Sequence, residues 1–332
     1  MSQESNIQDF KQKSICTASD TKNNQKKKMH NYFRKLYRQR YLWLMILPFL
    51  VWVFIFKFIP LWGWTMAFQD YKLGESGMFN QHWVGFKHFI TLFQEKQFYR
   101  VMRNTLSMSG LELLIGFPLP IIFAILLNEI RFPRFKKAIQ TVSYLPYFVS
   151  WVIVASLISK MLSTDGGIVN EILLCLGLVN KPIQFMAQPR MFWMISTLSE
   201  VWKNLGWNSI IFLAAIAGID QNLNEAATVD GANRWKRIWH ITLPSISPTI
   251  IVVLVLNIGW LISIGYEKQF LLGNSVVSEY CEVLDLYILN YGIGLMRYSY
   301  GTAIGVFKSV VSIVLLLLAN RLAKKVNGVS AI

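Results

Sequence analysis

Four ionisable side chains, Glu112, Glu200, Lys203 and Lys308, fall inside long stretches of sequence that are otherwise apolar. An ionisable group in such a setting marks a solute path, a proton relay or a buried pair, because leaving it uncompensated in hydrocarbon is expensive. Glu200 and Lys203 are three residues apart and share a helix face, so they can neutralise each other. Trp202, Asn204, Trp207 and Asn208 flank Lys203 on the same stretch. That mixture suits a sugar: indole faces stack on C–H patches, amides read hydroxyls, and a lysine would meet a carboxylate. Both readings of Lys203 stand, as half of a pair or as a path residue. Asn257 and Trp260 add two further path candidates on a later stretch. Glu112 and Lys308 lie at similar depth from the same side of their stretches, which predicts an interhelical Glu112–Lys308 pair. Lys57, at the end of its stretch, can snorkel.

The elements that must position these groups follow from composition. The 332 residues are 54% hydrophobic and only 15% charged, with a mean hydropathy of +0.39, against roughly 25% charged in a soluble domain. Too little polar surface remains to cover a water-soluble globule, which sets aside the nucleic-acid reading that a net charge of +15 would invite. An all-α membrane protein is expected, since backbone groups in hydrocarbon must be satisfied within each segment. Six runs are long enough to span: Leu42–Ile59, Leu106–Leu127, Val142–Ile158, Met191–Ile219, Ile246–Gly265 and Thr302–Ala319. Met191–Ile219 exceeds one upright span and is expected to include an entry turn.

Orientation follows from Lys and Arg. The tail up to Tyr41 holds ten, and the second loop, the fourth loop and the C-terminal tail add four, three and three. The opposite loops hold five, three and two. By the positive-inside rule both termini face the cytoplasm. Residues 1–40 read as a disordered basic cytoplasmic tail that acts as a topology signal and lies near anionic lipid. Residues 41–325 form the six-span domain, with a cytoplasmic loop at 220–244, and 326–332 form a short C-terminal tail. No cleavable signal peptide is apparent in the polar first 40 residues. The long opposite loops, Asp70–Arg103 and Tyr266–Gly301, are expected to receive an external partner, and Ile168–Leu176 reads as a short interfacial helix.

The fourth loop carries the most specific pattern, Asn224–Pro244, NEAATVDGANRWKRIWHITLP. Glu225-Ala226-Ala227 opens a short helix with Asn222 or Asn224 as its cap and Glu225 in its first turn. Asp230-Gly231 is a turn signal. Helical spacing resumes from Ala232, with Trp235, Ile238 and Trp239 as an apolar stripe, and Leu243-Pro244 is expected to stop that helix. An apolar stripe on a cytoplasmic loop points to a protein partner.

At these residues the sequence resembles the permeases of binding-protein-dependent ABC importers. Glu225-Ala226-Ala227, Asp230-Gly231-Ala232 and Ile241, Leu243, Pro244 match the family's loop signature without a gap, with Ile238 where Phe is frequent. Phe56-Lys57-Phe58-Ile59-Pro60, Trp83-Val84-Gly85-Phe86-Lys87-His88-Phe89, Leu127-Asn128-Glu129-Ile130-Arg131, Tyr144-Leu145-Pro146 and Trp202-Lys203-Asn204-Leu205-Gly206-Trp207 are similar to the carbohydrate branch of the maltose-type superfamily, the LplB-like oligosaccharide and polysaccharide group. The resemblance runs from about Tyr41 to Lys325 and implies a type I importer permease with cytoplasmic coupling helices. It implies that Glu225 contacts an ATPase subunit, that Gly231 allows the bend between two short helices, and that Trp235, Ile238 and Trp239 supply docking surface. The implied partners are a second homologous permease, two ATPase subunits, an extracytoplasmic binding protein, an oligosaccharide, acidic if Lys203 reads it, and membrane lipids. Nucleic acid is not among them. The implied location is the bacterial cytoplasmic membrane.

The residues needed for chemistry of its own are not in evidence. No GxxxxGK[ST] loop occurs, so ATP and Mg are expected in the partner ATPases, with no cofactor in this chain. No HExxH or GxSxG motif occurs, and no catalytic residue is expected. His30, His82, His88 and His240 are too scattered for a metal site, and Cys16, Cys175 and Cys281 for a disulfide framework. The chain reads as a transporter subunit and not an enzyme. The rivals are the same importer class for a non-sugar solute, a membrane-embedded enzyme, and a receptor or scaffold that recruits a cytoplasmic partner.

Overall fold

A computed structural model of the chain describes residues 38–72, 74 and 81–328. The expected N-terminal tail up to residue 37 and the C-terminal tail from residue 329 lie outside the described residues. Among the described residues every regular element is helical, with one isolated antiparallel bridge between Gln69 and Trp83. The chain divides into two compact units, Met1–Gly63 and Trp64–Ile332.

In the first unit, α1 (Arg40–Val53) is apolar on every side and buries none of its residues. Such a helix needs lipid or another chain around it. Helical backbone continues through a π turn, Phe54–Phe58, into a 3-10 segment, Ile59–Phe68.

The second unit takes in the end of that segment from Trp64, then α2 (Lys87–Gln94) and α3 (Lys96–Leu111). A π turn, Glu112–Gly116, joins α3 to α4 (Pro118–Asn128). Then come α5 (Pro133–Tyr144), α6 (Trp151–Met161), α7 (Ile168–Cys175) and α8 (Pro189–Ala217). The short α9 (Gln221–Val229) and α10 (Arg234–Arg237) follow, and a π turn, Ile238–Thr242, leads into α11 (Leu243–Gly259). The chain closes with α12 (Glu267–Leu272), α13 (Ser278–Cys281), α14 (Leu284–Tyr287), a π turn Ile288–Gly294, and α15 (Tyr298–Asn327).

Among the described residues four helical stretches are long and apolar enough to cross a bilayer: Arg40–Phe68, Lys96–Asn128, Arg234–Gly259 and Tyr298–Lys325. A fifth arises if Pro133–Phe148 and Trp151–Met161, bent by 104°, count as one span. Val142–Ile158, expected as one helix, is therefore broken, with extended backbone at Val149 and Ser150. Conversely, Met191–Ile219 holds no entry turn inside it, because α8 runs unbroken for 29 residues.

Leu243-Pro244 does not stop a helix either. Three π turns end two residues before a proline: Phe54–Phe58 before Pro60, Glu112–Gly116 before Pro118, and Ile238–Thr242 before Pro244. Proline lacks the N–H that would bond four residues back and its ring crowds that carbonyl. A widened turn takes up the mismatch, so the helix continues instead of ending.

α8 is the central post, packed against α3, α4, α5 and α11. Its buried face includes Ser196, Thr197, Ser199, Gly206 and Ser209, the small residues that let helices approach in a membrane. At Gly206 a methyl group would stand 2.1 Å from the Ser143 carbonyl oxygen, so α5 can lie there only against glycine.

Tyr266–Gly301, expected as a long outer loop that receives an external partner, is a packed element. Leu272, Val277, Cys281, Val283, Leu284, Leu286 and Tyr287 are buried in two hydrophobic clusters with residues of α3, α6, α8 and α15. Polar side chains lock it. Asn104 donates to the carbonyls of Glu279 (2.8 Å) and Glu282 (3.0 Å). Glu95 accepts from the Tyr287 and Tyr300 hydroxyls at 2.5 and 2.6 Å, with Arg297 at 3.3 Å.

Candidate functional site

The main cavity measures about 550 Å³ and is walled by α3, its π turn, α4, α8 and the α11 end. Its wall includes Ser109, Glu112, Glu200, Asn204, Trp207, Asn208, Asn257, Trp260 and Ser263. Five of the seven path candidates thus meet on one surface: Asn204, Trp207, Asn208, Asn257 and Trp260. The spacing of Asn204, Trp207 and Asn208 along α8 is that of one helical face. Trp202 and Lys203 are not on this wall. Trp202 is exposed elsewhere on α8.

Lys203 is buried, and its Nζ donates to the carbonyls of Tyr147 (2.6 Å), Val149 (2.7 Å) and Pro146 (3.3 Å). These carbonyls belong to the break between α5 and α6, where a 104° bend interrupts the helical ladder; that of Pro146 also accepts the Val149 N–H at 3.1 Å. The ammonium supplies three donors from one point, which is what three convergent carbonyls need. Beside it, the Tyr147 and Trp207 rings stack at 4.3 Å with 4° between planes. Lys203 therefore fixes the bend that brings Tyr147 against the cavity residue Trp207.

Lys203 is also not paired with Glu200, despite their spacing. Glu200 accepts from Lys268 Nζ at 2.9 Å and from Asn204 Nδ2 at 2.5 Å. The expected Glu112–Lys308 pair does not form. Glu112 bonds to Lys268, and Lys308 bonds to Asp285, whose other oxygen accepts the Gly265 N–H at 2.9 Å. The reason is that Tyr266–Gly301 folds in among the helices and brings its own charges, Lys268 and Asp285, closer to Glu112 and Lys308 than these are to each other. Lys268 is 3% exposed, so two carboxylates enclose one ammonium in the protein interior.

Sequence reasoning missed Lys268 and Asp285 by placing them in an outer loop and looking for partners of Glu112 and Lys308 only within the apolar runs. The signal was available: Phe270, Leu271, Leu272, Val276, Val277 and Val283 to Leu289 are too apolar for an open loop of that length.

At the far end of α8, the loop 220–244 forms two short helices. α9 is capped by Asp220, whose carboxylate accepts the Asn222 N–H at 3.0 Å. The cap thus lies before Asn222 and Asn224, and Glu225 stands past the first turn. Gly231 closes α9 with φ +74°, while Ala232 N–H bonds to the Ala227 carbonyl and Gly231 N–H to that of Thr228. This crossed pair of bonds places the following residue in left-handed backbone, which glycine adopts without cost. Asn233 caps α10 through the Lys236 N–H, and Arg237 donates to Thr228 Oγ1 at 2.9 Å, tying the two helices together.

Glu225, Ala226 and Asp230 are exposed, as are Trp235 (68%), Trp239 (62%) and Val229 (89%). Ala227 is half-buried. Ile238 turns inward against the cluster of Ile121, Phe212 and Ile246, with Leu243 beside it, and Pro244 is exposed in the first turn of α11. Of the expected stripe, then, the two tryptophans face outward and Ile238 anchors. A second cavity of about 520 Å³ lies behind Glu225, walled by Asn128, Glu129, Asn224, Thr228 and Arg237 among others.

Comparison with known proteins adds the following. The family described as "Binding-protein-dependent transport system inner membrane component" matches residues 116–328. The polygalacturonan/rhamnogalacturonan transport system permease protein YteP of Bacillus subtilis (strain 168) is 45% identical over 300 residues, covering 90% of this chain and 92% of that protein. Protein LplB of the same organism is 42% identical over 295 residues, covering 89% and 92%. In the crystal structure of a bacterial alginate ABC transporter in complex with alginate pentasaccharide-bound periplasmic protein, one chain superposes with a TM-score of 0.81 at 41% identity. It covers 90% of this chain and 98% of that one.

Proposed function

Because the chain belongs to the binding-protein-dependent transport system inner membrane components, we propose that it is the permease subunit through which an ATP-driven importer passes acidic oligosaccharides into the cytoplasm. The observation that carries this reading is the main cavity. Its volume is in the range of small-molecule sites, and it combines indole faces (Trp207, Trp260) with amides and hydroxyls (Asn204, Asn208, Asn257, Ser109, Ser263). That is sugar-binding chemistry. The acidic class is supported by the relatives: polygalacturonan and alginate are both polyuronates, and the proteins named for them are 45% and 41% identical to this chain.

Six spans follow if the bent pair and α8 are added to the four apolar stretches. α8 is too polar to qualify on hydropathy alone, yet past Arg190 in its first turn its polar residues are buried or line the cavity. At 29 residues it rises about 43 Å, ample to cross a bilayer. The excess of Lys and Arg in both tails and in the loop 220–244 supports cytoplasmic termini. Trp235 and Trp239, with Glu225 and Asp230, are then the surface for an ATPase subunit, and the left-handed Gly231 sets the angle between the two helices. ATP and Mg belong to that partner. A second permease closes the other side of the cavity, and a binding protein delivers the sugar from outside. Closure of the ATPases rocks the loop and exchanges outward for inward access.

The test is reconstitution of the complete importer in proteoliposomes, with uptake of labelled oligogalacturonate measured beside a neutral oligosaccharide. ATP- and binding-protein-dependent uptake of the acidic sugar is expected. Uptake of neither, alongside uptake of a non-sugar solute by the same complex, would reject the reading. Deleting Glu225–Gly231 should leave the subunits assembled and abolish solute-stimulated ATP hydrolysis.

A further inference from the structure

The charge on the cavity wall does not match the charge of the proposed solute. Among the described residues that line the cavity, the charged ones are Glu112 and Glu200, both carboxylates. Lys268 is sealed behind them at 3% exposure and is not part of the wall. The cluster therefore holds two negative charges against one positive. Both oxygens of Glu200 are occupied, one by Asn204 and one by Lys268. Glu112 gives one oxygen, Oε1, to Lys268. Its side chain is 20% exposed on the wall, with Oε2 as the oxygen left to accept.

Resting on the reading of this cavity as the path of an acidic oligosaccharide, we propose that Glu112 is a specificity-determining residue that selects which edge of the sugar faces this chain. A carboxylate oxygen held by a buried ammonium accepts a sugar hydroxyl well, because a charged acceptor makes the stronger hydrogen bond. The same surplus charge disfavours a uronate carboxylate on this wall. The hydroxyl edge lies against Glu112, Asn204 and Asn208, and the carboxylate edge is turned toward the wall that the second permease supplies. Lys268 acts through Glu112, as its positioning residue.

Glu112→Gln tests this without dismantling the site. It keeps the side-chain volume and leaves Lys268 paired one-to-one with Glu200, so the fold is retained. The complete importer, with loaded binding protein varied from well below to above half-saturation, is assayed for uptake of trigalacturonate and of its fully methyl-esterified form, which has the same hydroxyls and no charge. Loss of the acceptor charge weakens the hydroxyl contact for both sugars, whereas relief of repulsion helps the acid alone. The ratio of kcat/KM for acid over ester should therefore rise about tenfold, the order expected for one unit charge within several Å at protein-like dielectric. A general structural defect would lower both sugars together and leave the ratio unmoved. An unchanged or falling ratio overturns the proposal. If the wild-type importer takes up neither sugar, the reading of the cavity as a path for such sugars fails, and this inference with it.

Discussion

Lys203 offers the sharpest test of how the site is built, because two roles predict opposite results. In Lys203→Met the stem is kept and the ammonium removed. Three carbonyls, at 2.6, 2.7 and 3.3 Å, then lose their donor. Hydrogen bonds to charged groups contribute roughly 1.5–3 kcal/mol each, and polar contacts between membrane helices average nearer 0.6. Taking about 1.5 kcal/mol for each short bond and about 0.5 for the long one gives roughly 3.5 kcal/mol. Part of the ammonium's own desolvation cost is recovered, so a net loss of about 2–3 kcal/mol is expected. At ~2–4 °C per kcal/mol the second unit should melt roughly 4–12 °C lower, followed by tryptophan fluorescence of the purified complex. Lys203→Arg should not rescue it, since a planar fork cannot converge on three carbonyls as an ammonium does. Unchanged melting with selective loss of acidic over neutral sugar uptake would refute this reasoning and restore Lys203 to the solute path.

Other substitutions probe the remaining pieces. Lys268→Met leaves Glu112 and Glu200 facing each other in the interior and should cost about 3–5 kcal/mol, the usual effect of stranding a buried charge; unchanged denaturant resistance would show that the cluster contributes no stability. Gly231→Ala forces a side chain into φ +74°, at about 1–2 kcal/mol of local strain. Because open space surrounds that position, folding should survive while solute-stimulated ATP hydrolysis falls severalfold, read in the reconstituted complex. Burial raises the Glu95 pKa, but hydrogen bonds from Tyr287 and Tyr300 and the Arg297 guanidinium outweigh it and hold the carboxyl below 4.5. A depressed carboxyl stabilises the fold above its unfolded pKa and loses that contribution as pH falls through the folded value. Glu95→Gln should therefore flatten the fall in melting temperature below about pH 4.5; an unchanged acid limb would assign that fall to other groups.

Much of this was legible from one dimension. The apolar runs located helices because hydrocarbon imposes helix on any spanning segment, and Asp230-Gly231 announced a turn because only glycine enters left-handed backbone freely. Asn204, Trp207 and Asn208 could be placed on one face by helical spacing alone. What escaped was long-range. Glu112 and Lys308 were matched by depth, but depth says nothing of a third segment that inserts between them, and Tyr266–Gly301 did so. Lys203 was weighed against a neighbour three residues away, whereas its partners lie 54 to 57 residues earlier in the chain, in a break that forms only once α5 and α6 pack. Pro244 read as a stop because the period-3.6 rule has no place for a π turn, which is what lets the helix pass through.

The unbroken α8 has a mechanical meaning. It carries Asn204, Trp207 and Asn208 along its middle and hands over directly to α9 at its C-terminal end. A stiff rod of this kind transmits phase: what turns one end turns the other, with no relay of switching contacts between them. One residue added or removed between Asn208 and Ala217 would rotate the two ends by about 100° relative to each other, leaving the cavity wall and the paired short helices each intact and out of step.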